Sequence, residues 1–151
     1  MAITAKEVNE LRKKTGAGMM DCKKALVEAD GDMNEAVDLL RKQGQKIAAK
    51  RGDREATEGL VIAKSSGAKG VLVCVNCETD FVAKNEAFGD FANSILDLAI
   101  QNGSATIDEL KGLPYNGNGM TVGEKITEQS GLIGEKIDIS GLEIIEATKV
   151  V

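Results

Sequence analysis

The chain changes its hydrophobic period near its middle, and this change limits the folds it can adopt. Up to about residue 54 the apolar residues recur at helical spacing, whereas from Gly59 onward they form short runs typical of strands. The charge changes at the same place: residues 1–54 carry a net of +3 and residues 55–151 a net of −8, which together give −5. We therefore predict two units joined by a linker, with bounds 1–45, 46–57 and 58–151.

The first unit is predicted to be an all-α bundle of three short helices. Thr4-Ala5-Lys6-Glu7 has the pattern of a capping box and opens a helix that should stop at the turn Thr15-Gly16-Ala17-Gly18. The second helix runs from Met20 to Ala29. A further capping pattern begins at Asp32 and opens the third helix, for which Gly44 is a natural stop. The linker that follows could be helical at its start.

The second unit is predicted to be α+β, with a three-stranded antiparallel sheet and helices on one side. Gly59–Ala63 and Val71–Val75 form a hairpin, and the near-continuous apolar run of the second strand predicts a central strand covered on both faces or nearly so. The next helix presents one apolar face, made of Phe88, Phe91, Ala92, Ile95, Leu96 and Ala99.

The remainder of this unit is predicted from helix-capping patterns and turn residues. Capping patterns at Thr106 and Thr121 predict two short helices, separated by a Pro/Gly/Asn-rich loop at 114–119. A final strand is predicted over 136–147, broken at Ser140-Gly141.

Several classes of catalytic site are excluded by composition. The chain has no histidine, which removes His-based acid–base catalysis and most zinc sites. Cys74 and Cys77 have the spacing of a redox motif, but a strand turns residues three apart to opposite faces. Gly16-Ala17-Gly18 lacks the remaining residues of a dinucleotide loop or a phosphate loop. We expect no cofactor, no metal and no covalent catalysis.

Charge and cysteine usage also restrict the partners and the cellular location that we expect. The net charge of −5 argues against nucleic acid as the direct partner. The first residues contain no signal-peptide run, and no later stretch is apolar enough to span a bilayer. Three cysteines are too few for a disulfide framework. We therefore expect a cytoplasmic protein with no membrane partner.

The segment from Leu11 to Leu26 is a candidate binding surface. Met19 and Met20 are adjacent at a turn and cannot both face the core of so small a bundle, and exposed methionines suit adaptable surfaces. The alternative is that both fold back as filler, while Arg12, Lys23 and Lys24 belong to an ordinary solvated face.

A second candidate is the segment from Asn76 to Glu86, which joins the central strand to the amphipathic helix. It places an aromatic residue, Phe81, beside the carboxylate of Asp80. The alternative is structural: Thr79 or Asp80 caps a helical turn, and Phe81 packs down as a hydrophobic staple.

These two segments resemble the signature motifs of the elongation factor Ts family, in the same order and about 55 residues apart. The matching strings are Thr15–Leu26 and Thr79–Lys84, and the similarity runs from residue 2 to roughly residue 147. The resemblance implies that the first unit has a ubiquitin-associated-like three-helix fold. It implies that the second unit is the N-terminal half of the family's core.

The function that this resemblance implies is guanine nucleotide exchange in translation elongation, by release of GDP from the GTPase elongation factor Tu. Asp80 and Phe81 would enter the GTPase near its magnesium and phosphate-binding elements. The first segment would rest on its nucleotide-binding domain. The implied partner-binding residues are Arg12, Met19, Met20, Lys23, Thr79, Asp80, Phe81, Val82, Ile133 and Gly134.

The chain departs from the family at two points. Cys74 stands where the family usually has a carboxylate, so the resemblance gives that position no role. Family members continue into a second core subdomain, so we expect a truncated form, with the strand edge from Leu142 to Val151 free for self-association.

Two other functions compete with exchange. One is a free-standing interaction module, in which a ubiquitin-associated-like bundle joined to an unrelated α+β domain binds another protein. The other is a thiol oxidoreductase that uses Cys74 and Cys77.

Overall fold

The architecture comes from a computed structural model that describes residues 2–117 and 119–150. Three helices come first: α1 (Ala5–Thr15), α2 (Met19–Glu28) and α3 (Met33–Lys50). The second part contains β1 (Glu58–Ser66), β2 (Lys69–Cys77), α4 (Asp80–Ala83), α5 (Glu86–Asn102), α6 (Ile107–Gly112), α7 (Val122–Ile133) and β3 (Asp138–Glu146). A helical first part followed by an α+β part agrees with the prediction.

The ends of α1 follow from local chemistry. The Glu7 amide donates to Thr4 Oγ1 at 3.3 Å and the Thr4 amide donates to Glu7 Oε2 at 2.7 Å, which confirms the capping box. Gly16 ends the helix with a φ of 74°, a conformation that favours glycine. α2 begins at Met19, one residue before the predicted start. The core of the three helices consists of Val8, Leu11, Ala17, Cys22, Ala25, Leu26, Ala29 and Ala36.

The predicted stop of the third helix at Gly44 is wrong. α3 continues to Lys50, so the segment after Gly44 is helical, in line with the helical start considered for the linker. Gly44 lies against Gly131 of α7, where a Cβ added to Gly131 would be 2.5 Å from the Gly44 Cα. Gly44 therefore acts as a close-contact residue between two helices. The division into units at 45 and 58 stays a prediction.

The sheet is antiparallel with the order β1-β2-β3, which confirms that Val71–Val75 lies in the central strand. Its coverage is more one-sided than predicted: Val71, Val73, Val75 and Cys77 are buried on one face, whereas the residues between them are only partly buried. The buried face shares a core with α5, whose six predicted apolar residues are all buried. The amphipathic pattern of α5 is thereby confirmed.

The predicted break at Ser140-Gly141 is a β-bulge within a continuous strand. Cys74 pairs with Gly141 and Val75 pairs with Ile139, which leaves Ser140 as the extra residue. β3 is an edge strand beside β2. Asn118 of the predicted loop at 114–119 lies outside the described residues, and so does Val151 of the predicted strand edge.

The two later capping patterns both begin helices. Thr121 and Glu124 form a complete capping box at α7. At α6, Thr106 Oγ1 accepts from the Glu109 amide, while the Glu109 carboxylate accepts from the amide of Ala105. Within residues 2–117 and 119–150, no helix combines the length and apolar character needed to cross a membrane.

Candidate partner-binding surface

The segment from Thr79 to Val82 forms an outward-facing turn between the central strand and α5. Thr79 is the N-cap of α4, and its Oγ1 accepts a hydrogen bond from the Val82 amide at 3.4 Å. The side chain of Phe81 is 82% exposed. The capping role of Thr79 is therefore observed, whereas the alternative that Phe81 packs as a staple is wrong. The turn presents an aromatic ring to solvent, which is unusual for so large an apolar group.

A carboxylate stands beside this ring on the same turn. Lys84 Nζ donates to Asp80 Oδ2 at 2.9 Å, with both side chains largely in solvent. The hydrogen bond from Lys84 and its positive charge hold the pKa of Asp80 below its ordinary value, and the same pair raises the pKa of Lys84. Asp80 is thus ionised at neutral pH and can present a negative charge next to Phe81.

The start of the turn is held by a carboxylate from a distant part of the chain. Glu135 Oε1 accepts from the backbone amides of Glu78 and Thr79 at 3.1 and 3.0 Å. Glu135 Oε2 accepts from the Thr79 hydroxyl at 2.7 Å. One side chain therefore receives three hydrogen bonds from the two residues that precede α4.

Glu78 makes the reverse connection. Its Oε1 accepts from the Lys136 amide at 2.7 Å, and its Oε2 lies 3.3 Å from both Arg51 Nη1 and Arg54 Nε. The Glu78 side chain is only 9% exposed. The amide of Lys136 and the two guanidinium groups hold the pKa of Glu78 below its ordinary value, because burial opposes ionisation less than these partners favour it. Its charge is therefore matched by the groups around it.

These bonds bring two of the predicted contact segments together. Gly134 ends α7 with a φ of 78° and donates its amide to Ser130 O. It directly precedes Glu135, so the carboxylate that holds Thr79 also ties Ile133-Gly134 to the turn that carries Phe81. Sequence reasoning missed Glu78 and Glu135. Glu78 adjoins the recognised motif, but nothing in the sequence pairs it with a loop 57 residues away.

The first predicted segment is exposed too. Met19 and Met20 open α2 with 51% and 63% of their surfaces in solvent, so the alternative that both act as core filler is wrong. They point outward because Cys22, Ala25 and Leu26 supply the buried side of α2. Arg12 on α1 and Lys23 on α2 are also exposed.

The helix α3 is one of the elements that link the two surfaces. α3 packs against α2 and crosses α7 through Gly44 and Gly131. Its C-cap residue, Arg51, reaches the Glu78 carboxylate. The position of Met19-Met20 relative to Phe81 therefore depends on α3, together with the contact between the Gly16 turn and Leu132 of α7.

The cysteine pair lacks the features of a redox site. Cys77 is buried, and its Sγ donates to Thr79 O at 3.2 Å, whereas Cys74 is partly exposed on the opposite face of β2. Burial is the main cause that raises the pKa of Cys77 to about 11, which opposes thiolate formation at neutral pH. Across the parts of the chain that the structure describes, no three His, Cys, Asp or Glu side chains are grouped to hold a metal ion.

The family profile and the known proteins with similar sequences carry the same name. The profile of a family described as Elongation factor TS matches residues 78–151. Elongation factor Ts of Rhodopirellula baltica is 54% identical over 144 residues, which cover 95% of this chain and 44% of that protein. Proteins of the same name from Christiangramia forsetii and Amoebophilus asiaticus are 55% and 52% identical over 147 and 153 residues, covering 96% and 100% of this chain. The alignments cover 52% and 54% of those two proteins, so the chain spans about half the length of the curated relatives it matches.

Proposed function

The chain belongs to the elongation factor Ts family over the part that it spans, and on that premise we propose that it promotes release of GDP from the GTPase elongation factor Tu. The role is one of binding in the cytoplasm, with no cofactor and no covalent chemistry of its own, and with neither nucleic acid nor membrane as a direct partner. The observation that carries the proposal is Phe81, an aromatic side chain that is 82% exposed on a turn held by hydrogen bonds at its start.

The proposed mechanism is preferential binding to the nucleotide-free GTPase. If the factor binds that state more tightly than the GDP-bound state, linkage weakens GDP binding by the same factor. A thousandfold acceleration of release requires about 4 kcal/mol of preference in the transition state for release. Burial of one Phe supplies roughly 1.5–3 kcal/mol. Phe81 alone is therefore insufficient.

The rest of the binding preference for the nucleotide-free GTPase is assigned to the other exposed residues. Met19 and Met20 would rest on the nucleotide-binding domain of the GTPase and hold the factor in place, with Arg12 and Lys23 beside them. Thioethers adapt to irregular surfaces, which suits a partner that changes shape as it loses its nucleotide. Asp80 would bring a negative charge toward the magnesium and phosphate-binding elements and so compete with their normal contacts.

Two finer points belong to the same proposal. The three N-terminal helices have a ubiquitin-associated-like arrangement, as the resemblance implies. The edge of β3 that faces away from β2, from Leu142 to Glu146, offers backbone groups through which a second copy could pair. The thiol oxidoreductase function has no support, because Cys77 is buried with a raised pKa.

The exchange function is tested by stopped-flow release of fluorescent GDP from elongation factor Tu, with the chain in excess. We expect the release rate to rise with the concentration of the chain. Phe81→Ala should reduce this acceleration tenfold or more. Its free energy of unfolding should change by less than about 0.5 kcal/mol, as is usual for a surface substitution.

Val61→Ala is the matched control, because Val61 is also an exposed apolar residue, at 64%, but lies on the open face of the sheet. This control should behave as the unsubstituted chain. An excess of the chain that leaves GDP release at its spontaneous rate would refute the proposed function. A large loss of stability in Phe81→Ala would instead mean that Phe81 supports the fold.

A further inference from the structure

Two glutamates cross-link the strand-to-helix turn to the loop after α7. Each carboxylate binds the backbone next to the other: Glu135 accepts from the amides of Glu78 and Thr79, and Glu78 accepts from the amide of Lys136. Hydrogen bonds to an ionised acceptor are stronger than those between neutral groups. The two segments are therefore held in one arrangement by four backbone or hydroxyl donors to Glu135 and Glu78.

The turn has limited support of its own, because only Val82 and Ala83 pack, partly buried, against the core. α4 contains only four residues, Asp80–Ala83, and a helix this short is not stable by itself. Phe81 is too exposed to be fixed by core packing. The direction in which its ring points therefore depends on the start of the turn as well as on the packing of Val82 and Ala83, and Thr79 is fixed there by its amide and hydroxyl bonds to Glu135.

Glu135 is in turn held by what surrounds Glu78. The bond from the Lys136 amide to Glu78 fixes the backbone directly after Glu135. Arg51 and Arg54 bind the other oxygen of Glu78 from the end of α3, and Lys136 Nζ donates to Gly52 O at 3.0 Å. The pair thus joins three segments that are far apart in the chain.

We propose that Glu135, with Glu78 as its counterpart, is a positioning residue of the exchange site that holds Phe81 and Gly134 in one fixed surface. This proposal rests on the exchange function proposed above. Neither glutamate belongs to the residues assigned to partner contact. They hold the turn in its binding conformation in the free protein. Binding of the partner then does not carry the entropy cost of ordering the turn.

The first measurement is amide hydrogen exchange in the free protein, which does not depend on any partner. In Glu135→Ala we expect the amides of Val82, Ala83 and Lys84 to exchange at least tenfold faster. Amides of the central strand should keep their protection, which separates a loosened turn from a loosened fold. Glu128→Ala is the control, because Glu128 lies on α7 and pairs with Lys125 of the same helix.

Glu135→Gln is the conservative variant. Its amide oxygen can still accept from the Glu78 and Thr79 amides, and its NH₂ group can donate to the Thr79 hydroxyl in place of the original bond. We expect amide protection and GDP release to stay within about threefold of the unsubstituted chain, roughly 0.7 kcal/mol. Rescue by Gln combined with loss in Ala identifies the hydrogen bonds as the relevant feature.

The second measurement is the dependence of GDP release on the concentration of the chain. Glu135→Ala should lower the maximal release rate tenfold or more and change the half-saturating concentration much less, because the Met19-Met20 surface is untouched. In Phe81→Ala/Glu135→Ala the loss should be clearly smaller than the product of the two single-variant losses, because Glu135 acts in part through Phe81. Non-additivity of this kind is expected when one residue acts through the other.

Results that differ from these expectations would contradict the proposal. Unchanged protection of amides 82–84 in Glu135→Ala overturns the positioning role, whatever the release assay shows. Additive losses in the double variant mean that Glu135 acts through general stability and not through Phe81. If the unsubstituted chain does not accelerate release, the exchange function fails and the inference fails with it, even where the amides respond as expected.

Discussion

Replacement of Gly131 by alanine tests the crossing of α3 and α7 on which the relative position of the two exposed surfaces depends. A Cβ added at Gly131 would lie 2.5 Å from both Cα and O of Gly44. A Cβ added at Gly44 would lie 3.7 Å from the Gly131 Cα, an ordinary contact. The two glycines of one contact are therefore predicted to respond differently to the same substitution.

The expected magnitudes follow from these distances. Non-bonded carbon atoms prefer about 3.5–4.0 Å, so the helices must part by about 1 Å to admit a Cβ at Gly131. Such overpacking costs about 1–3 kcal/mol. Both positions gain about 1 kcal/mol from the better helix propensity of alanine. Gly44→Ala should therefore stabilise the protein by up to about 1 kcal/mol, and Gly131→Ala should be about 1–3 kcal/mol less stable than Gly44→Ala.

Urea unfolding followed by circular dichroism at 222 nm measures both variants against the unsubstituted chain. Because the propensity gain is common to both, the difference between them reports the crossing alone. Equal stabilisation of the two variants would refute the reasoning, since it would mean that the backbones of Gly44 and Gly131 are not in contact.

Two further predictions concern ionisable groups. The pKa of Glu78 lies below its ordinary value of 4.5, so its contribution to stability is complete above that pH and is lost as the pH falls through the lowered pKa. Glu78→Gln should therefore be less stable than the unsubstituted chain at pH 7, with the difference shrinking at pH values below 4.5 in urea unfolding; a difference independent of pH would contradict this. Because burial raises the pKa of Cys77 to about 11, a thiol reagent at pH 8 should modify Cys74 in the folded protein and leave Cys77 unmodified until urea is added, and equal rates at the two thiols would contradict the burial.

Much of the local structure could be predicted because it depends on residues close in sequence. The capping box at Thr4 needs only Glu7, three residues on, and both bonds are present. The buried face of α5 follows from helical spacing, which is a property of the segment itself. The exposure of Phe81 could also be predicted from the sequence, because the residue lies outside the apolar face of α5, which begins at Phe88.

What the sequence could not supply depends on partners that only the fold brings close. Gly44 has the character of a helix stop, yet α3 continues through it, and its backbone lies against Gly131 of another helix. Glu78 and Glu135 are 57 residues apart, and each is an ordinary surface glutamate until the other's backbone lies within hydrogen-bond distance. The sequence alone determined the caps, the apolar faces and the motifs, since these act over one or two turns. The tertiary structure decided which glycine is a contact and which carboxylates hold the exposed turn, because those roles require atoms from distant segments.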